Sequence, residues 1–414
     1  MLLIYRLLIN FVLILSPLII LIRLITKKEH PTRFKEKFTF FSKKRKLGNL
    51  VWLHGASVGE LISVIPLIEK LEIDKSVKQI LVTTSTLSSA KIFTKFKFVK
   101  TIHQFFPIDS NYLSKNFLNY WRPSLAIFID SEIWPNILIN LKNRSIPHIL
   151  LNARISKRSF KKWKILGTFS KNLFTGFNYT YPQNNETKKY LKYFQVNKIK
   201  KIGNLKFSEG IYSSKKRNNP NLKKFLNDKI SWCASSTHEG EELIAGKAHL
   251  TLKKKMKNLI LILIPRNVQR VPEITHVFSK LNLKTHLHSV NKKIPKDTDI
   301  YIVDTYGETK AFFKICKIVF LGKSLTVDGG QNPLEPARYN CNIIHGPYVS
   351  NFKEIYDLLG KNKIAFRVNS QNHLIKKINE LSKKSIHSKN IGSRIIKIGE
   401  GILNKTLMEI KKFI

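Results

Sequence analysis

The chain of 414 residues carries 73 lysines and arginines against 27 aspartates and glutamates, a formal net charge of +46 at pH 7. At roughly 150 residues per domain, this length predicts about two to three domains, and a hydrophobic fraction of 43% excludes wholesale disorder. The three cysteines lie far apart without CxxC spacing, which excludes a disulfide scaffold and argues against a zinc cluster.

The positive charge is spread along the whole chain. A composition biased towards Lys, Ile and Asn explains this distribution as readily as attraction to a membrane surface, a phosphorylated substrate or nucleic acid. Because the basic residues are not concentrated on one element with interleaved aromatic residues, and no nucleic-acid-binding module is found in the sequence, we expect no nucleic acid partner.

The first element is an apolar run over residues 7–22, flanked by Arg6 and Arg23. Its 16 residues are fewer than the about 20 that usually span a bilayer. The many lysines and arginines after it place the rest of the chain in the cytosol. We predict an uncleaved membrane anchor over residues 1–28, with a basic collar against anionic lipid headgroups. A buried core helix is the alternative.

From residue 49 onwards, short β-branched apolar runs alternate with amphipathic stretches, a pattern typical of a parallel sheet covered on both faces. In the first half the predicted strands are 49–54, 79–85, 101–107, 125–130 and 147–153. In the second half they are 230–236, 259–265, 299–305, 317–324 and 341–347, with helices over 238–254, 271–281, 309–316, 351–360 and 371–382. The fold class is therefore α/β, with two doubly wound, Rossmann-like domains.

A polar, basic stretch at 208–221 separates the two halves. We predict an N-terminal domain over 29–207, a linker over 208–222, a C-terminal domain over 223–385 and a helical segment over 386–414. Two such domains would face each other across a cleft. Ligands of this fold bind beyond the carboxyl ends of the strands.

In the first half, acidic residues follow two of the predicted strands. Glu60 falls at a helix start, where it is equally well interpreted as a helix cap or as a general base. Asp130 and Glu132 follow the strand 125–130 beside Trp134, which favours a functional role for at least one of them over simple capping. Lys206 follows a later strand and could neutralise a carboxylate or phosphate.

The second half offers residues suited to an anionic ligand. Ser236 and Glu239 fit a capping box, and the amides around them could instead hold an anion. Arg266 follows a buried strand and suits a phosphate. Gly329 and Gly330 permit close backbone approach. There is no Walker sequence and no GxGxxG, which argues against an NTPase or a dinucleotide enzyme.

Nine short motifs occur in order along the chain: HGASVGE (54–60), DSEIWPN (130–136), NARIS (152–156), GNLKF (203–207), ASSTHEGEE (234–242), PRN (265–267), DTYGE (304–308), GGQNPLEP (329–336) and HGPYVSNF (345–352). In order and approximate spacing they resemble the signatures of bacterial 3-deoxy-D-manno-octulosonic acid (Kdo) transferases. The resemblance runs from the N-terminal segment to about residue 380.

This resemblance implies a glycosyltransferase fold of the GT-B type and transfer of Kdo from CMP-Kdo to the lipid A precursor, lipid IVA, with inversion. It implies no metal, no cofactor, and a location at the cytosolic face of the inner membrane among anionic lipids. Glu60 matches the family's general base. Asp130 and Lys206 match the groups that stabilise the transition state, and Glu132 matches the second carboxylate.

The resemblance also assigns the residues that hold CMP, which are Pro265, Arg266, Tyr306, Gly307, Glu308, Asn332, Pro333, Leu334 and Glu335. The chain departs from the family pattern at four places. Asp130 stands where Glu is usual, Asn267 and Gln331 stand where His is frequent, and Lys323 replaces a Gly of the GGS stretch.

Two other interpretations are compatible with the composition. One is a membrane-associated GT-B transferase with a different nucleotide-sugar donor. The other is an inactive membrane-tethered binding protein, which the presence of Glu60, Lys206 and Arg266 makes the weaker alternative.

Overall fold

The computed structural model describes residues 1–210, 220–290, 293–383 and 391–414. The chain forms two compact units, one made of Met1–Gly210 with Ile398–Ile414, the other of Ile211–Lys397. The predicted linker 208–222 falls largely on residues 211–219, which lie outside the described residues. The predicted domain boundaries stay predictions.

In the first unit, six parallel strands in the order β3-β2-β1-β4-β5-β6 form the described sheet. Its strands are β1 Leu50–His54, β2 Gln79–Thr84, β3 Thr101–Phe105, β4 Leu125–Ile129, β5 His148–Ala153 and β6 Tyr179–Pro182. Its helices are α1 Leu2–Ile25, α2 Val58–Glu72, α3 Leu87–Phe93, α4 Asn111–Trp121, α5 Pro135–Asn143, α6 Lys157–Ile165, α7 Thr168–Thr175 and α8 Asn185–Tyr193.

In the second unit, the described sheet has seven parallel strands in the order β13-β12-β11-β7-β8-β10-β9. Its strands are β7 Ile230–Thr237, β8 Leu259–Pro265, β9 Thr285–Leu287, β10 Ile300–Ile302, β11 Ile318–Leu321, β12 Asn342–His345 and β13 Ala365–Arg367. Its helices are α9 Pro220–Leu226, α10 Glu241–Lys253, α11 Val271–Lys280, α12 Thr309–Ile315, α13 Leu334–Arg338, α14 Lys353–Lys361 and α15 Gln371–Lys383. A last helix, α16 (Ile391–Ile410), has residues in both units.

These sheets confirm the α/β, doubly wound fold class. The strands are buried on both faces, as their continuous apolar character predicts. Trp52, Phe117 and Trp121 form part of the first core, and Trp232 and Phe278 form part of the second. Every predicted strand is present, and β6, β9 and β13 are three additional short strands at sheet edges.

Helix α1 is longer than the apolar run from which it was predicted, with 24 residues instead of 16. Among the described helices, it alone is long and apolar enough to cross a membrane. Most of its large apolar side chains, such as Leu7, Phe11 and Ile14, are exposed. This composition makes α1 a candidate membrane anchor.

One stripe of α1 is not exposed. The Tyr5 hydroxyl donates to Oδ2 of the buried Asp109 at 2.7 Å, and Arg6 donates to Oδ1 of Asn136 at 3.0 Å. Further along the helix, Ser16 and Ile20 are buried. Polar contacts therefore attach the N-terminal end of α1 to the start of α5, while its other faces remain apolar and open.

Candidate active site

In the first unit, the acidic candidates lie at the point where the strand order reverses. β1 pairs with β2 on one side and with β4 on the other. Glu60 follows β1, whereas Asp130 and Glu132 follow β4. Because the carboxyl ends of neighbouring parallel strands meet at one edge, these three carboxylates share the crevice where α/β sheets bind ligands.

Glu60 occupies the third position of α2 and closes a capping box with Ser57. Its Oε2 accepts a hydrogen bond from the Ala56 amide at 2.7 Å, and its Oε1 accepts one from the Ser57 hydroxyl at 2.8 Å. The capping interpretation of Glu60 is thus confirmed. The role of Glu60 as a general base stays a prediction, because the same carboxylate can cap the helix and accept a proton.

The surroundings of Glu60 favour its protonated form. Burial raises the pKa of this carboxyl above its ordinary value, and the negative charges of Glu132 and Asp130 act in the same direction against the hydrogen bonds from Ser57. A carboxylate with a raised pKa is a better proton acceptor near neutral pH than an ordinary glutamate.

Glu132 shows the opposite shift. Its Oε2 accepts hydrogen bonds from His54 Nε2 at 3.0 Å and from Trp134 Nε1 at 2.8 Å. Burial works against ionisation here, but the hydrogen bond and charge of His54 and the hydrogen bond from Trp134 hold the pKa of Glu132 below its usual range. Glu132 therefore remains ionised where Glu60 is able to take up a proton.

A buried chain of donors orients His54 towards Glu132. Trp52 Nε1 donates to the Thr83 hydroxyl at 2.9 Å, and that hydroxyl lies 2.9 Å from His54 Nδ1. Since the ionised Glu132 can only accept, Nε2 of His54 donates to it, and Nδ1 also lies 3.2 Å from the Thr83 carbonyl. Sequence reasoning missed this role of His54, because its partners come from β2 and from the segment after β4.

Asp130 has a left-handed backbone, with φ of 63°, and is 9% exposed. Burial raises the pKa of its carboxyl above the ordinary value, although the charges of Arg154 and Lys206 and the hydrogen bond from Ser131 oppose that shift. A non-glycine residue with positive φ is uncommon and often marks a functional position. Arg154 and Lys206, of which Lys206 was predicted as a candidate from the sequence, are close enough to oppose the rise in the pKa of Asp130.

Lys206 is placed by two asparagines. Oδ1 of the buried Asn152, at the end of β5, accepts from the Leu205 amide at 3.0 Å. Oδ1 of Asn204 accepts from the Lys206 amide at 2.9 Å. These bonds hold the short 3-10 turn Leu205–Ser208 against the sheet edge, and so bring Lys206 into the electrostatic range of Asp130.

In the second unit, the strand order reverses between β7 and β11, which pair with each other while β7 also pairs with β8. The buried Glu241 links the loops after β7 and β11 at this point. Its Oε2 accepts from the amides of His238 and Lys323 at 2.9 and 2.8 Å. Its Oε1 accepts from the amides of Ser324 and Leu325, both at 3.0 Å.

This arrangement corrects the capping box expected at Ser236 and Glu239. Helix α10 begins at Glu241 after Gly240, and Ser236 has a positive φ of 56°. Glu241 is used instead as a fourfold acceptor for backbone amides. Its partners in the loop after β11 lie 82 to 84 residues away, so no local signal could reveal them.

The candidates for the CMP group follow three strands of the second sheet. Pro265 ends β8, and the next residue, the exposed Arg266, donates its amide to the Thr237 carbonyl at 3.1 Å. After β10, Tyr306 is 64% exposed, Gly307 has a φ of +87° and Glu308 is buried.

After β11 come Asn332 to Glu335. Asn332 Oδ1 accepts from the Leu334 amide at 3.1 Å. Pro333 and Leu334 are buried, whereas Glu335 is half-buried in the first turn of α13. Since β8, β10 and β11 belong to one parallel sheet, the candidates line the same edge. The role of each one stays a prediction.

Within the described ranges, no group of three or more His, Cys, Asp or Glu side chains could hold a metal ion. The three cysteines are buried and free. The expectation of a reaction without a metal remains a prediction.

Comparison with known proteins relates the chain to one family and one fold. Residues 32–209 match the family model described as 3-deoxy-D-manno-octulosonic-acid transferase (kdotransferase). A 3-deoxy-D-manno-octulosonic acid transferase of Rickettsia bellii is 33% identical and aligned over 95% of each chain. The Haemophilus influenzae enzyme of the same name is 29% identical over 88% of this chain and 87% of its own.

Solved structures support the fold. The UDP-GlcNAc 2-epimerase of Neisseria meningitidis matches with a TM-score of 0.61 at 13% identity, over 87% of this chain and 98% of that chain. A glycosyltransferase of Rickettsia africae matches with a TM-score of 0.57 at 11% identity, over 89% of this chain and 99% of that chain. Both similarities concern the two-domain, parallel-sheet architecture.

Proposed function

Since this chain belongs to the 3-deoxy-D-manno-octulosonic acid (Kdo) transferase family and is a glycosyltransferase, we propose that it transfers Kdo from CMP-Kdo to the lipid A precursor, lipid IVA, with inversion and without a metal. The observation that carries the proposal is the pair of glutamates at the β1–β4 edge, whose pKa values are shifted in opposite directions.

Glu60 is the general base of the proposed reaction. Its carboxylate takes the proton of the acceptor hydroxyl while the hydroxyl oxygen forms a bond to the anomeric carbon of Kdo. The bond from that carbon to the phosphate oxygen breaks, and its electron pair leaves with CMP. Because the hydroxyl attacks the face opposite CMP, the configuration inverts. A raised pKa suits Glu60 to this proton transfer.

The other residues of the first site act by charge. The sugar becomes oxocarbenium-like as CMP leaves, and the carboxylates of Asp130 and Glu132 stabilise positive charge. Lys206 balances the negative charge of the sugar carboxylate. Glu132 is suited to remain an anion because His54 and Trp134 donate to it.

The CMP group is held by the residues after β8, β10 and β11, which are Pro265, Arg266, Tyr306, Gly307, Glu308, Asn332, Pro333, Leu334 and Glu335. Arg266 is exposed and carries a fixed positive charge. It can neutralise the departing phosphate, a task that Mg²⁺ performs in many other transferases. Transfer should therefore continue in excess EDTA.

We further propose that α1 anchors the protein at the cytoplasmic face of the inner membrane, among anionic lipids. The exposed apolar faces of α1 and the basic residues that follow it support this location. Tyr5, Arg6, Ser16 and Ile20 keep one stripe of the helix against protein. This stripe favours a helix that lies within one leaflet over one that spans the bilayer.

The test is a transfer assay with the detergent-solubilised protein, CMP-Kdo and tetraacylated lipid A precursor, read by mass spectrometry. The wild type should give products heavier by one or more Kdo units. Glu60→Gln should lower the rate at least about a hundredfold while CMP binding is retained, because the Gln carbonyl can still accept from the Ala56 amide and keep the cap.

Glu69→Gln is the matched control, since Glu69 lies exposed on the same helix, and it should transfer at the wild-type rate. Wild-type activity in Glu60→Gln would exclude Glu60 as the base. An inactive but folded wild type would contradict the donor or the acceptor, and a screen of other nucleotide sugars would then identify the donor.

A further inference from the structure

A lysine stands at the reversal point of the second sheet in a conformation that disfavours it. Lys323 follows β11, and its φ is +54°. In this left-handed region an L-residue with a side chain is disfavoured, whereas glycine adopts it freely.

The backbone of Lys323 is fixed from two sides. Its amide donates to Glu241 Oε2 at 2.8 Å, and its carbonyl accepts from the Gly330 amide at 2.7 Å. The side chain then extends across Gly329. Its Cε and Nζ lie 3.0 and 3.3 Å from the point where a Cβ on Gly329 would stand. The ammonium therefore lies over Gly329.

Lys323 is half-buried, and within the described part of the chain its ammonium forms no ion pair. Arg266 follows β8, which is separated from β11 by the single strand β7. With strands about 4.8 Å apart, the two cations flank one strand end at the edge where ligands of this fold bind.

We propose that Lys323 binds the phosphate of the nucleotide-sugar donor, as a second cation opposite Arg266. This inference rests on the proposed CMP-Kdo donor. It adds a specificity-determining residue, because a nucleoside without phosphate gains nothing from the ammonium.

The experiment is titration calorimetry of the full-length protein in detergent micelles with CMP and with cytidine. Lys323→Met should weaken CMP binding about tenfold or more and change cytidine binding less than about twofold. Lys317→Met is the matched control, because Lys317 is exposed at the opposite end of the same strand, and it should bind CMP as the wild type does.

Lys323→Gly separates the loss of charge from a damaged loop. It should weaken CMP binding as much as Lys323→Met, yet raise the melting temperature, because glycine removes the left-handed strain. Wild-type CMP affinity in Lys323→Met would overturn the proposal, as would an equal loss for cytidine or a lower melting temperature in Lys323→Gly. A wild type that does not bind CMP would instead contradict the proposed donor.

Discussion

Two glutamates of the first site lie close enough to influence each other, and their environments separate their ionisation. Burial and the charges of Glu132 and Asp130 raise the pKa of Glu60, whereas His54 and Trp134 keep the pKa of Glu132 low despite burial. Such a separation commonly distinguishes a proton-transferring carboxylate from a permanently charged one.

This separation predicts the pH dependence of transfer. The proposed base, Glu60, acts when deprotonated, so the rate should rise with pH through its pKa, at a pH above the ordinary 4.5 of a glutamate. Glu132→Gln removes a neighbouring negative charge and should lower that pKa. The acidic limb of kcat/KM should then move to lower pH. Glu132→Gln should also lower the maximal rate.

The measurement is a pH profile of kcat/KM for transfer by the wild type, Glu132→Gln and the exposed control Glu69→Gln. Glu69→Gln should leave the pH of the acidic limb unchanged. A limb that stays fixed or moves to higher pH in Glu132→Gln would show that another group controls the rate.

The positions of Glu60, Asp130 and Arg266 after their strands could be predicted from the sequence, because parallel strands end at a common edge. Their contacts could not be predicted. The positive φ of Asp130 and the chain from Trp52 to Glu132 could not be foreseen, because they depend on partners from three separate strand ends.

At the scale of elements, continuous apolar runs predicted the central strands well. The strands that were missed are Tyr179–Pro182, Thr285–Leu287 and Ala365–Arg367. They have three or four residues, lie towards the sheet edges and have incomplete burial, so their sequences carry little strand signal. The start of α10 was misplaced because a capping-box pattern at Ser236 competed with the actual start after Gly240.

The contacts of Glu241 predict that the loops after β7 and β11 depend on this one side chain. Glu241→Ala leaves the amides of His238, Lys323, Ser324 and Leu325 without their acceptor. An unsatisfied buried donor costs about 1–3 kcal/mol. We therefore expect unfolding of the second unit to become easier by at least about 3 kcal/mol, with a marked loss of CMP affinity.

Urea denaturation measures the free energy of unfolding, and a CMP titration of the folded protein measures the affinity. Glu239→Ala is the control, because Glu239 is exposed two residues earlier, and its stability and CMP affinity should match the wild type. A Glu241→Ala protein of wild-type stability would mean that the loop after β11 is held by other contacts.

At the scale of the whole molecule, the contacts of α1 determine how the proposed anchor can lie in a membrane. A 24-residue helix is about 36 Å long, enough to cross a bilayer core of about 30 Å. The length of α1 is therefore sufficient for a membrane-spanning helix. The bonds from Tyr5 to Asp109 and from Arg6 to Asn136, with Ser16 and Ile20 buried further along, keep one stripe of the helix on protein for about 22 Å.

These contacts predict that both ends of α1 stay on the side of the membrane that carries the catalytic units. A short protease-cleavable tag placed before Met1 should be cut by protease added outside proteoliposomes whose catalytic units face outwards. Tyr5→Phe with Arg6→Ala removes the contacts with Asp109 and Asn136 and should weaken this arrangement. A tag that is protected in the wild type until the vesicles are opened with detergent would show instead that the helix spans the bilayer, with its N-terminus on the far side from the active site.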